Sequence, residues 1–135
     1  MAGYSGTPLS KKLGINPGAR VCIVNADPGY TKLLEPLPEN VSIVRNESLD
    51  LDLVHGFVTR RAELIDLISK FKKRIKQNGA IWVSWPKKAA KIATDVTEDT
   101  VREVALPLGL VDIKVCAVDE IWSGLKLVIR KENRS

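Results

Sequence analysis

Residues 51–86 read LDLVHGFVTRRAELIDLISKFKKRIKQNGAIWVSWP, and a change of hydrophobic period inside that stretch decides the fold class. Leu51 to Val58 is almost unbroken apolar sequence, the pattern of a strand covered on both faces, as in a parallel sheet. From Arg61 to Asn78 the apolar positions become Leu64, Ile65, Leu67, Ile68, Phe71 and Ile75. Their spacing is helical, which predicts an amphipathic helix over 61–78. Glu63 and Asp66 fall in its early turns, and Lys70, Lys72, Lys73, Arg74 and Lys76 in its late ones, a polarity that complements the helix dipole. Gly79 is placed to end it. Ala80 to Trp85 then reads as a further strand, closed by Pro86. Strand, helix, strand is a parallel crossover unit.

Working outward, Arg20 to Asn25 is a short apolar run stopped by Ala26-Asp27-Pro28-Gly29, and Val41 to Arg45 is a second. About six residues separate that second strand from the one at Leu51, whereas a parallel crossover usually needs a dozen or more. The second strand is therefore expected to be a stub or to run antiparallel. Thr97 is a plausible N-cap, followed by Glu98 and Asp99 and by an apolar stripe of Val101, Val104, Ala105 and Leu108 ending at Gly109. Ile113 to Val118 and Leu125 to Arg130 close the chain as strands joined by a hairpin connection, Asp119 to Gly124. These elements predict a single three-layer α/β domain of Rossmann-like form. Six strands are expected in the order 2-1-3-4-6-5, the last antiparallel and slotted between strands four and five. Residues 19–135 form that domain. Residues 1–18 read as an irregular arm with one helical turn near Pro8 to Leu13, ended by an Asn16-Pro17-Gly18 turn. The arm is expected to fold over the carboxyl ends of the strands.

The whole composition fits this picture. The chain has 135 residues, 44% of them hydrophobic, with 21 Lys+Arg against 16 Asp+Glu and a net charge of +5. No apolar run reaches the ~18–20 residues that cross a bilayer, and Met1 to Gly6 lacks the charged-then-apolar pattern of a leader. A cytoplasmic protein is expected, with no membrane partner. Two cysteines and one histidine are too few for a disulfide scaffold or a zinc site, so no metal is expected.

Three stretches resemble a small bacterial family known only as a domain of unknown function. They are Tyr4-Ser5-Gly6-Thr7-Pro8-Leu9 with Lys11-Lys12-Leu13-Gly14, then Trp82-Val83-Ser84-Trp85-Pro86-Lys87-Lys88, and Val115 to Asp119 with Trp122-Ser123-Gly124-Leu125. The likeness covers nearly the whole chain. It implies a fold, but it carries over neither an established activity nor a catalytic residue. The layout from Ala80 to Lys87, then helix, strand, hairpin and strand, is similar to the second half of a class I S-adenosylmethionine-dependent methyltransferase. Leu51 to His55 resembles the strand leading into that half. The implied fold is a shortened methyltransferase-like Rossmann domain. A cofactor site of that kind calls for two or three close glycines after the first strand. Here the loop is Asn25-Ala26-Asp27-Pro28-Gly29-Tyr30, with a single glycine and a proline that removes an amide donor. The acidic residue nearest the end of strand two is Glu47. No cofactor is expected.

Ligands of open α/β sheets bind outside the carboxyl ends of the strands, near the topological switch point. On the expected topology that edge gathers Asn25, Asp27, Thr59, Arg60, Trp85, Lys87, Lys88, Asp119, Glu120 and Trp122. Two tryptophans among cations and carboxylates could cradle a planar anion by stacking and charge-assisted hydrogen bonds. The structural reading has Lys87 or Lys88 paired with Asp119 or Glu120 and the tryptophans covering the sheet end. His55, inside an apolar run, reads as a satisfied core histidine, and Cys22 and Cys116 as small buried thiols. No nucleophile elbow, set of metal ligands or phosphate loop is present. The sequence pI near 9.3 and the Lys70–Lys76 cluster raise nucleic acid as a partner. With only 5% aromatics, however, that cluster reads better as a solvated helix end. The sequence thus favours a non-catalytic interaction or regulatory module with a protein partner. The alternative is a small anionic-ligand or nucleotide-binding domain using the carboxyl edge; a reduced methyltransferase and a nucleic-acid-binding protein rank below both.

Overall fold

The computed structural model describes residues 8–134. Six strands make one sheet in the order β2-β1-β3-β4-β6-β5. They are β1 (Arg20–Val24), β2 (Ser42–Val44), β3 (Leu51–Phe57), β4 (Ile75–Pro86), β5 (Leu110–Ala117) and β6 (Trp122–Ile129). The first four run parallel, and β6 is antiparallel to both β4 and β5. The six-strand order and the reversed sixth strand agree with the expectation from sequence. β2 proves to be a parallel stub of three residues. A stub needs no helical crossover, because six extended residues span roughly 20 Å, enough to pass over β1 and re-enter at β3.

The helices are α1 (Leu9–Leu13), α2 (Tyr30–Leu33), α3 (Arg61–Phe71) and α4 (Glu98–Ala105). They split into two layers because the strands alternate their side chains between faces. Val54, Ile81, Val83, Leu125 and Leu127 meet Leu64, Ile68 and Phe71 of α3 and Val101 and Ala105 of α4 in one core. Leu53, Phe57, Trp82 and Trp122 meet Leu13 of α1 and Tyr30 of α2 in the other. Gly56 lets α3 lie directly on β3, since a Cβ there would stand 2.4 Å from a methyl of Leu67. α4 begins as its sequence predicts, with the Thr97 hydroxyl accepting from the Thr100 amide at 3.3 Å.

Two expectations are corrected. The helix predicted over 61–78 ends at Phe71, and the following strand starts at Ile75 rather than Ala80. Ile75 keeps its helical spacing from Phe71, but it pairs with Leu51 across the sheet. Residues 76–79 then bulge outward opposite Asp52, because Leu51 pairs with Ile75 and Leu53 with Ala80. Gly79 therefore serves that bulge and not a helix end: a Cβ would lie 2.9 Å from the Leu51 carbonyl oxygen. The late cations are also anchored differently. Lys72 donates to the Leu108 carbonyl, Arg74 to that of Asn46, and Lys76 pairs with Asp52. The second correction concerns the arm. Its described part does not cover the carboxyl ends. α1 lies along the face it shares with α2, where the Trp82 indole N–H donates to the Leu13 carbonyl at 2.8 Å, and 14–19 turns under the amino end of the sheet. Tyr4 to Thr7 lie outside the described residues.

Phe71 is 1% exposed at the centre of the α3 core. Phe71→Ala should therefore cost about 3–5 kcal/mol, read as a lower urea midpoint with an unchanged m-value.

Candidate functional site

The parallel strands deliver Asn25, Thr59, Arg60, Lys87 and Lys88 to one rim, and the β5–β6 hairpin brings Asp119, Glu120 and Trp122 to the same end. Few of these side chains are idle. The Trp122 indole N–H donates to the Asp27 carboxylate at 3.0 Å, so the loop leaving β1 is drawn across the ends of β3 and β4 toward β6. Asp119 accepts from the amides of Ile121 and Trp122, both at 2.8 Å, and shapes the hairpin. The Lys87 ammonium donates to the Asp119 backbone carbonyl at 2.7 Å, not to a carboxylate. Thr59 donates its amide and hydroxyl to Glu63 at 3.0 and 3.2 Å, and the Arg60 amide joins them at 3.0 Å. Those bonds, the Thr59 amide first, hold the Glu63 carboxyl below its ordinary pKa.

Trp85 and Trp122 are not brought together. Trp85 lies in the core under α3 and α4, and Trp122 in the core under α1 and α2. Their partners in the β4–β6 ladder are Ser123 and Pro86, adjacent positions that point to opposite faces. Exposed on the rim stand Asn25, Arg60, Lys88 and Glu120, with Ile92 and Ile121 on the neighbouring loops.

At the switch point between β1 and β3 lies a cavity of about 210 Å3, lined by Val24, Asn25, Val58 and, from α3, Glu63, Asp66 and Lys70. Small-molecule sites usually hold ~300–1,000 Å3. This crevice is smaller than that and lies below a loop with one glycine whose Asp27 is already engaged.

Under that loop lies a polar chain that the sequence pattern does not single out. The Tyr30 hydroxyl is 2.5 Å from His55 Nδ1, and His55 Nε2 is 2.6 Å from the Ser84 hydroxyl. His55 and Ser84 are fully buried and Tyr30 nearly so. Phe57 stacks on the imidazole at 4.3 Å, and Trp122 meets Phe57 edge-on at 5.1 Å. His55 is thus the satisfied core histidine expected. The available signal for its partner was the second polar interruption, Ser84, in the neighbouring apolar run. Burial raises the pKa of Cys22 and of Cys116, so both stay thiols, Cys22 resting on the Asn46 amide oxygen at 3.3 Å. Among the described residues, no three His, Cys, Asp or Glu side chains are placed to share a metal, and no helix is long and apolar enough to cross a membrane.

Residues 45–131 match the model of a family described as a protein of unknown function (DUF3052). No curated protein matches the chain. Solved structures similar to it include the ribosomal protein L11 methylase from Lactobacillus delbrueckii subsp. bulgaricus. That likeness has 12% identity and a TM-score of 0.64 over 90% of this chain and 75% of that one. A putative type 11 methyltransferase from Sulfolobus solfataricus is similar at 15% identity and a TM-score of 0.59, over 85% and 87% of the two chains. A SAM-dependent methyltransferase from Aquifex aeolicus is similar at 17% identity and 0.55, over 89% and 87%. At these identities the likeness is one of fold, and the domain is a methyltransferase-like Rossmann sheet.

Burial pushes the His55 pKa down to about 3 from an ordinary 6.5. Between those values the unfolded chain takes up a proton that the folded chain refuses. Stability from this group is therefore complete above pH 6.5 and declines as the pH falls toward 3, by about 1.4 kcal/mol per pH unit at the steepest. Urea midpoints from pH 7.5 to 5 should fall accordingly, with a flatter profile in His55→Gln. If that variant does not fold, the wild-type imidazole should still show neutral-form NMR shifts at pH 5.

Proposed function

The chain belongs to the DUF3052 family of proteins of unknown function, and from that premise we propose that it is a non-catalytic interaction module that binds a protein partner at its carboxyl rim. The observation that carries this reading is the Trp122–Asp27 hydrogen bond. It commits the β1 loop to packing at the place where a ligand of this fold would approach backbone amides. What then faces solvent on the rim is Arg60 and Lys88 with Asn25, the single acid Glu120 among those four, and the half-exposed Ile92 and Ile121. Cations around apolar side chains suit an acidic protein segment carrying a hydrophobic anchor. The net charge of +5 favours encounter with such a partner. A second reading, adenosylmethionine-dependent methyl transfer, draws on the fold shared with the methyltransferases.

The two readings separate in a melting experiment. Adenosylmethionine and adenosylhomocysteine should leave Tm unchanged. A methyltransferase would instead gain about 2.7 kcal/mol at a hundredfold excess over Kd. In cross-linking of the full chain in its native lysate, the double variant Arg60→Glu, Lys88→Glu should lose the partner captured by the wild type while melting at the same temperature. Capture that survives both charge reversals would remove the rim from consideration.

A further inference from the structure

The amino end of the sheet carries a second cavity, on the face covered by α1 and α2 and at the opposite end from the rim. It holds about 460 Å3, within the range of small-molecule sites. Leu53 and Val128 give it an apolar floor, and its polar groups are the side chains of Asn16, Asp52, Lys76, Asn78 and Lys126. The bulge at 76–79 builds one wall, since it carries Lys76 and Asn78 out of the β3–β4 ladder. The turn at Asn16 to Ala19 builds the other, closed by the Ala19 amide on the Asn16 carbonyl at 3.1 Å.

The charge in this cavity is unbalanced. Asp52 is its carboxylate, and both of its oxygens are engaged: Oδ1 by the Lys76 ammonium at 3.0 Å, Oδ2 by the Arg20 amide at 2.8 Å. Lys126, half-buried on β6, has no carboxylate within ion-pairing distance among the described residues. Its cross-strand neighbour is Lys114, whose ammonium reaches the Lys12 carbonyl at 3.4 Å. Burial first, and then Lys114, lower the Lys126 pKa. Room has nonetheless been left for that ammonium. Gly14 ends α1 at φ +84°, and a Cβ there would stand 3.2 Å from Lys126 Nζ. A half-buried cation without a counter-ion among the described residues, in an open cavity beside a second lysine and two carboxamides, is the arrangement an anion completes.

We propose that this cavity binds a small organic anion with a doubly charged head, a phosphate ester or a polycarboxylate. Lys126 and Lys76 hold the charge, the amides of Asn16 and Asn78 orient it, and the apolar floor receives its body. The site lies outside the carboxyl rim, so its fate is independent of the partner proposed there.

Pyrophosphate and citrate are the probes, titrated into the full chain at fixed ionic strength and followed by backbone-amide NMR, with chloride as the screening control. Saturable shifts should concentrate on Gly14, Gly18 and Asn78 and be absent at Asp27 and Trp122. Tighter binding of pyrophosphate assigns the phosphate class, and tighter binding of citrate the carboxylate class. Lys126→Met should weaken the preferred probe by about tenfold or more without lowering Tm, and Lys88→Met should leave it unchanged. The Lys126 pKa, read from its side-chain resonances, should rise when the probe binds. Should Lys126→Met fail to fold, Lys76→Gln replaces it with the same expectation. Absence of saturable shifts with either probe, shifts that follow surface lysines generally, or full affinity in the lysine variants would overturn the proposal.

Discussion

The chain of hydrogen bonds from Tyr30 through His55 to Ser84 is the constraint around which one whole face of the sheet is built. Each member stands on a different element, α2, β3 and β4, and the chain is closed to water. A neutral imidazole has one N–H and one lone pair, so either tautomer serves both hydroxyls, provided all three groups stay in register. A missing partner would leave a buried polar atom unsatisfied, at a cost of about 1–3 kcal/mol. The surrounding rings keep the chain dry: Phe57 stacks on the imidazole, Trp122 caps Phe57, and Tyr30 meets both His55 and Phe57 edge-on. Packing and hydrogen bonding thus specify the same arrangement, the condition under which a polar network fixes one structure.

That constraint also determines what the site can do. A serine hydroxyl beside a histidine nitrogen is the start of a nucleophilic pair, but Ser84 is fully buried. Burial holds His55 neutral without a carboxylate to stabilise the cation. The same aromatic cluster brings Trp122 to the end of the sheet, where its indole takes up the Asp27 carboxylate. In this fold the loop after β1 would normally be free to approach a ligand with its backbone. Here it is a strap across the strand ends, and its one glycine precedes a helix of only four residues. Beside that strap, at the switch point, lies the cavity of about 210 Å3.

Much of the fold was legible because buried parallel strands write continuous apolar runs, and the runs at 21, 53 and 81 fall where β1, β3 and β4 lie. Thr97 and Gly109 marked the α4 segment at both ends because capping is local chemistry. The end of α3 was not legible, since Ile75 satisfies the helical period as well as it satisfies the strand. Only the tertiary pairing with Leu51 breaks that tie. The rim was legible as a set of residues, because parallel strands must end together, but not as a geometry. Whether Trp85 and Trp122 share a face depends on the β4–β6 register, a pairing of strands distant in sequence that no local turn fixes, and one residue of slip reverses the face.

The amino-end cavity lies beyond sequence reading for a related reason: it is a product of irregularity. Regular pairing would keep Lys76 and Asn78 within the β3–β4 ladder; the bulge opposite Asp52 carries both out of it. Lys126 joins them because β6 runs backwards, which carries its later residues toward the end where the parallel strands begin. Two departures from a regular parallel sheet, an inserted segment and a reversed strand, thereby converge on one volume. Irregularities of this kind re-aim side chains at a sheet edge. They cost ladder hydrogen bonds, so a bulge of this length needs compensation. Part of it comes from the Lys76–Asp52 pair and the Arg20 amide on the same carboxylate. Lys126 receives no such compensation from the described residues, and for that reason the unbalanced amino end of the sheet is where the charge distribution calls for a small ligand.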